Sequence, residues 1–172
     1  GNDWPENDGW TRNVLNGGDE RTLADGVMTL DGLNTGPGFV WDGYEWYRPA
    51  AMDPGPGETF VIQWRMRVEA IMNGNWDPSV SIFSDDAWAV YLDFAIDRVW
   101  SAGEGPAAQV HFAPEVFHQF ELRSPDMRSY QLFIDGVLAR AGGFAPAVTP
   151  SWIVWGDGGG ATRSRSTWDY FR

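Results

Sequence analysis

At 172 residues, with 43% hydrophobic and 15% aromatic side chains, the chain fits a single domain (1–172) that buries ~70% of its unfolded surface. Its 12 positive charges are all Arg against 24 acidic residues, a net charge of −12, which argues against a nucleic-acid or anionic-membrane partner because phosphates are bound by clustered cations. The absence of Cys excludes disulfides, thiol nucleophiles and Cys-based zinc, and no run of ~18 apolar residues exists for membrane insertion as a helix.

Twenty-one Gly and 11 Pro punctuate the sequence too closely for helices, and no stretch carries apolar residues at i, i+3, i+4 and i+7 over three turns. Period-two alternation recurs instead. Short strands are expected over 10–15, 26–31 and 38–47. The last of these lies in GFVWDGYEWYRP, whose Phe39, Trp41, Tyr44, Trp46 and Tyr47 serve either a broad core or a surface for sugar stacking or protein contact. After the loose DPGPGE stretch, TFVIQWRMRVEAI (59–71) places Phe60, Ile62, Trp64, Met66 and Val68 on one face. Val61, Gln63, Arg65, Arg67 and Glu69 fall on the other. A strand over 79–84 precedes Asp85-Asp86. AWAVYLDFA (87–95) sets Trp88, Val90, Leu92 and Phe94 against Ala89, Tyr91 and Asp93.

Strands over 98–101 and 107–113 follow, and Gln109 and His111 share a face of the second. FHQFELRS (117–124) turns Phe120 and Leu122 inward, with His118 at the same parity. SYQLFIDGVLARAG (129–142) is a hairpin about Asp135-Gly136, suited to a type I′ turn. Strands over 151–156 and 166–171 flank the loose GDGGGATRSR. The pattern predicts an all-β fold, a two-sheet antiparallel β-sandwich or jelly roll.

Three pieces, in order, resemble the concanavalin A-like lectin/glucanase superfamily, the laminin-G-like jelly rolls. They are LADGVMTLDG (23–32) after Trp10, VFHQFELRSPDMRSYQLFIDGVLA (116–139), and the closing WDYFR (168–172). The resemblance implies a jelly roll whose concave sheet holds a glycan groove. The hydrolases among these proteins carry E-x-D-x-x-E on one strand, which this chain lacks. In YLDFAID (91–97), Asp93 and Asp97 would stand ~13 Å apart on an extended strand, against the ~5–5.5 Å of a retaining carboxylate pair.

The resemblance also implies a structural Ca2+ that ties the chain ends together. Its ligands would be Asp169, the Gly26 carbonyl and a carbonyl within PEND (5–8), a set suited to a cation that takes oxygen ligands only. The other reading of Asp169 is a salt bridge to an Arg or a solvent-facing carboxylate on an edge strand.

For ligand binding the candidates are Gln63, Arg65, Arg67, Tyr91, Asp93, Gln109 and His111. Amides and guanidinium forks suit hydroxyls or carboxylates, and aromatic faces suit sugar rings. QVH (109–111) resembles the Q-[IV]-H strand of jelly-roll alginate lyases. That resemblance would assign neutralisation of a uronate carboxylate to Arg65 and Gln109, and proton exchange to His111 and Tyr91. The R-[ST]-E-x-R and Y-F-K-A-G strands of those lyases are absent, and a charge of −12 repels a polyanion. Neither H-E-x-x-H nor G-x-S-x-G occurs, which argues against zinc catalysis and a serine hydrolase.

The resulting expectation is non-catalytic recognition of a polysaccharide or glycoconjugate, with a structural Ca2+. The setting would be extracellular, secreted or cell-surface, with any signal peptide already removed. The alternatives are a uronate polysaccharide lyase or hydrolase, and a protein-binding adhesion module.

Overall fold

The computed structural model describes residues 3–15, 20–33, 43–49, 53–72, 78–84, 87–102, 104, 108–147, 152–157 and 163–172. Among these residues there is no α-helix; a 3-10 turn (Pro5–Asp8) precedes fifteen strands. The first eight strands are β1 (Thr11–Leu15), β2 (Glu20–Ala24), β3 (Val27–Asp31), β4 (Gly43–Pro49), β5 (Phe60–Met72), β6 (Ser79–Phe83), β7 (Trp88–Phe94) and β8 (Arg98–Ser101). The remainder are β9 (Val110–His111), β10 (His118–Ser124), β11 (Ser129–Ile134), β12 (Val137–Gly143), β13 (Ala145–Pro146), β14 (Trp152–Gly156) and β15 (Arg163–Phe171). They pair antiparallel into two sheets, in the orders β1-β4-β14-β6-β7-β8-β9 (with β13 also on β7) and β12-β11-β10-β5-β15-β3-β2. This is the jelly-roll sandwich that the alternation predicts. Phe39, Trp41, Asp85 and Asp86 lie outside the described residues.

The alternation in β5 is realised residue by residue: Ile62, Trp64, Met66 and Val68 are at most 2% exposed. Val80 and Ile82 of β6 and Val90, Leu92 and Phe94 of β7 close the core from the other sheet. A chain of rings runs between the layers. Trp155 stacks on Phe171 at 4.9 Å, Phe171 on Trp64 at 5.9 Å, Trp64 on Phe120 at 5.6 Å, and Phe120 meets Phe94 edge-on at 5.1 Å. Each such pair contributes ~0.5–1.5 kcal/mol beyond its area burial. Trp10, edge-on to Trp155 and Phe171, joins the N-terminal segment to this chain.

β15 departs from period two. Its register on β5 runs Trp168↔Met66, Tyr170↔Arg65 and Phe171↔Trp64, so Asp169 is an extra residue in a β-bulge. The bulge lets Trp168 and Phe171 both face the core while Tyr170 takes the outer side with Arg65. At the hairpin, Asp135 (φ 51) and Gly136 (φ 79) occupy the left-handed region that a type I′ turn requires. His118 is buried as its parity predicts. Its Nε2 donates to the Ala113 carbonyl at 2.8 Å, and its Nδ1 lies 2.6 Å from Asp135 Oδ2.

Tyr130 packs fully buried against β12. A Cβ at Gly142 would come 2.5 Å from the Tyr130 hydroxyl and 2.6 Å from Cζ, whereas at Gly143 the nearest atom is the Arg128 carbonyl oxygen at 3.5 Å. Gly142→Ala is therefore expected to lower stability by about 1–3 kcal/mol through overpacking. Gly143→Ala should change it by less than about 0.5 kcal/mol. Urea denaturation of the two variants checks the contrast.

Candidate functional site

The seven candidate binding residues divide between two outer faces that point away from each other. Gln63, Arg65 and Arg67 project from β5, where each is already engaged. Gln63 donates to Glu121 and accepts from Arg172 at 2.9 Å. Arg65 pairs with Asp169 at 2.5 Å, and Arg67 with Glu69 at 2.7 Å. Both guanidinium groups also cover the Phe117 ring, at 4.7 and 4.9 Å. The Gln63 hydrogen bond, joined by Arg123, outweighs burial and holds the Glu121 carboxyl below its ordinary range. This face is a lattice of internal ion pairs, and its guanidinium groups are committed to the chain's own carboxylates.

Tyr91, Asp93 and His111 stand on the outer face of the other sheet. Gln109, two residues before His111, shares its parity. The lyase quartet therefore does not meet, because Arg65 belongs to the opposite sheet from Tyr91, Gln109 and His111. What β7 does gather was not legible strand by strand. Its register sets Ser79 and Trp100 directly across from Asp93, and Ser81 across from Tyr91. Facing residues in such pairs have Cβ atoms ~4.5–5.5 Å apart. Phe83 lies edge-on to Tyr91 at 5.3 Å and to Trp152 at 6.0 Å. Among the described side chains, Trp152, Phe83, Tyr91 and Trp100 thus make an aromatic strip alongside Ser79, Ser81 and the Asp93 carboxyl.

That carboxyl is unusual for a sheet face. Asp93 is 7% exposed, and no described residue hydrogen-bonds or ion-pairs with its side chain. Burial without a donor penalises the charged form and pushes its carboxyl up to about 6. Burial also raises the Tyr91 phenol. No second carboxylate faces Asp93 across β6 or β8, where Ser79 and Trp100 stand. Asp97 lies past the end of β7, so the extended-strand spacing does not describe it; it sits 3.7 Å from both Arg98 Nη1 and His111 Nδ1.

The chain ends meet in a cleft of about 510 Å3, its solvent opening included. Asp3, Pro5, Asp8, Gly26 and Asp169 line it together with indoles such as Trp10 and Trp155. Asp169 and Gly26 are thus brought to one place beside the PEND segment. Asp169 also keeps its ion pair with Arg65, the other role the sequence allowed it. Among the described residues no three His, Asp or Glu side chains are grouped to hold a metal. A cation in this cleft would accordingly depend on the Asp169 carboxylate and on backbone oxygens such as those of Pro5 and Gly26. That mixed donor set fits a hard ion such as Ca2+.

The fold is that of the concanavalin A-like jelly rolls. No protein-family model and no curated protein matches the chain, but solved structures do. The β-glucanase of Bacillus licheniformis is similar at 14% identity and TM-score 0.62, over 95% of this chain and 90% of that one. A prokaryotic β-1,3-1,4-glucanase (lichenase) from a mouse hindgut metagenome is similar at 14% identity and TM-score 0.60, over 94% and 91%. A carbohydrate esterase of a Shiga toxin-encoding bacteriophage is similar at 11% identity and TM-score 0.64, over 94% and 88%.

The raised Asp93 carboxyl gives stability a definite pH dependence. The native state binds the proton more tightly than the unfolded chain, so stability falls as pH rises from about 4 to about 6 and is level above that. Asp93→Asn is expected to remove this slope and to be more stable than the parent at pH 7.5, by up to about 2–3 kcal/mol. Paired thermal melts at pH 4.5 and 7.5 would show a larger gap at the higher pH.

Proposed function

We propose that this protein binds carbohydrate chains without cleaving them, on the outer face of the β1–β9 sheet. The observation that carries this reading is the set of outward rings Trp152, Tyr91 and Trp100, with the buried Phe83 edge-on to the first two and Ser79 and Ser81 alongside. Amphipathic rings offer flat apolar area to a sugar face at little conformational cost, and the hydroxyls offer directional hydrogen bonds. The similar solved structures include proteins named as glucanases and as a carbohydrate esterase. Among the described side chains, Asp93 has no carboxylate across from it on β6 or β8, which supports binding over retaining hydrolysis. The setting in this reading is extracellular, secreted or cell-surface, where polysaccharide is met.

The same reading places a structural Ca2+ in the cleft at the chain ends, held by Asp169 and by carbonyl oxygens of Gly26 and Pro5. When bound, the ion would supply positive charge that fastens the 3-10 turn and the β2–β3 turn to the closing strand.

On a glycan array the protein should give a defined set of hits. Tyr91→Ala and Trp100→Ala should each weaken the best hit about 10-fold, the loss of roughly one ring contact. Arg67→Ala, on the opposite sheet, should leave it unchanged. An empty array would overturn the reading in favour of a protein-binding module.

For the ion, Ca2+ at ~100 times Kd adds about 2.7 kcal/mol, or roughly 5–10 °C in Tm for a domain of this size. An unchanged Tm in the presence of chelator would remove Ca2+ from the account.

A further inference from the structure

The environment of Asp93 specifies more than sugar stacking. Its side chain is nine-tenths buried on a face that otherwise looks outward, and among the described residues it has no hydrogen-bond or ion-pair partner. The groups facing it are Ser79 and Ser81 from β6, Tyr91 from its own strand, Trp100 and Arg98 from β8, and His111 from β9. None of these is a cation in contact with it: Arg98 and His111 are turned to Asp97 at 3.7 Å, and Arg65 and Arg67 are held on the opposite sheet.

A desolvated carboxylate without donors is costly by itself. An aromatic face beside it is the other half of a cation site, because the ring quadrupole attracts positive charge. A neutral sugar would leave the missing counter-charge unsupplied, and a uronate would add repulsion.

Resting on the carbohydrate-binding reading, we propose that the ligand of this face is a cationic glycan, a chain with free amino groups, whose ammonium sits on Asp93 between Tyr91 and Trp100. The ammonium supplies the counter-ion that no described residue provides and donates to the carboxylate, while the sugar ring turns its C–H face to the aromatic rings. Binding requires the ionised carboxyl, which burial makes scarcer as pH falls through about 6. It also requires the ammonium to keep its proton, so affinity should pass through a maximum with pH. Below the maximum, complex formation should release a proton.

Calorimetric titration at pH 6.5 with soluble oligomers of glucosamine, N-acetylglucosamine and galacturonate tests this directly. The glucosamine oligomer should bind at least 10-fold tighter than its N-acetylated counterpart, and the galacturonate oligomer should not bind. Asp93→Asn should abolish the preference, while Asp25→Asn, which removes one exposed charge from the β2–β3 turn of the opposite sheet, should keep it. Equal affinity of the parent protein for the two amino-sugar oligomers would overturn the cation assignment and leave the sugar-binding reading intact. A preference that survives in Asp93→Asn would also overturn it, because the overall charge of −12 would then suffice. Failure of every glycan on the array would instead remove the reading beneath it.

Discussion

The structure turns on the pairing of β15 with β5 and on the extra residue, Asp169, that β15 accommodates near its end. Without the bulge at Asp169, strict alternation would send Phe171 outward and break the ring chain from Trp155 to Phe94. With it, Trp168 and Phe171 both enter the core, Tyr170 moves outward, and the last strand of the chain is welded to one of the most deeply buried strands. Arg172 extends the weld, exchanging backbone hydrogen bonds with Gln63 at 2.7 and 2.8 Å. The closing segment is thus a core element. Its carboxylate is displaced sideways, towards Arg65 and the cleft, as a consequence of the geometry that fills the core.

The two outer faces follow from that arrangement and have opposite characters. On the β5 face, a chain with 12 Arg and no Lys uses planar guanidinium forks to bind its own carboxylates and to cover Phe117. Such exposed pairs contribute little stability one at a time, but together they leave the face with its charges mutually satisfied. On the β7 face the polar groups are sparse and the rings are numerous. Among the described residues, the Asp93 carboxyl there has no hydrogen-bond or ion-pair partner. Sites for ligands are where polar groups are left to be completed from outside, and that criterion separates the faces more sharply than residue type does.

Much of the fold was legible because period two is a local signal. β5, β7, β10 and the hairpin at Asp135-Gly136 all appear where the alternation and turn chemistry put them. β2 was missed because it carries a single inward apolar residue, Leu23, and is held by backbone pairing with β3 at the sheet edge. The bulge at Asp169 left no mark in the sequence, since WDYF reads as unbroken alternation. The site was legible only in part. Tyr91, Asp93, Gln109 and His111 were picked out by type and parity, but nothing local assigns β5 and β7 to different sheets. Trp100, Trp152 and Phe83 became site residues only through register, a relation between strands far apart in sequence. Asp93 looked like an ordinary outward carboxylate because desolvation by neighbouring strands is invisible within its own.

Tryptophan indole resonances followed by nuclear magnetic resonance during titration with a bound oligosaccharide test directly which face is functional. The account predicts that the Trp100 and Trp152 indoles shift progressively while those of the core residues Trp64 and Trp168 stay in place. Stationary Trp100 and Trp152 signals, with shifts confined to Trp10 in the cleft or to the Arg65 and Arg67 guanidinium groups, would contradict it.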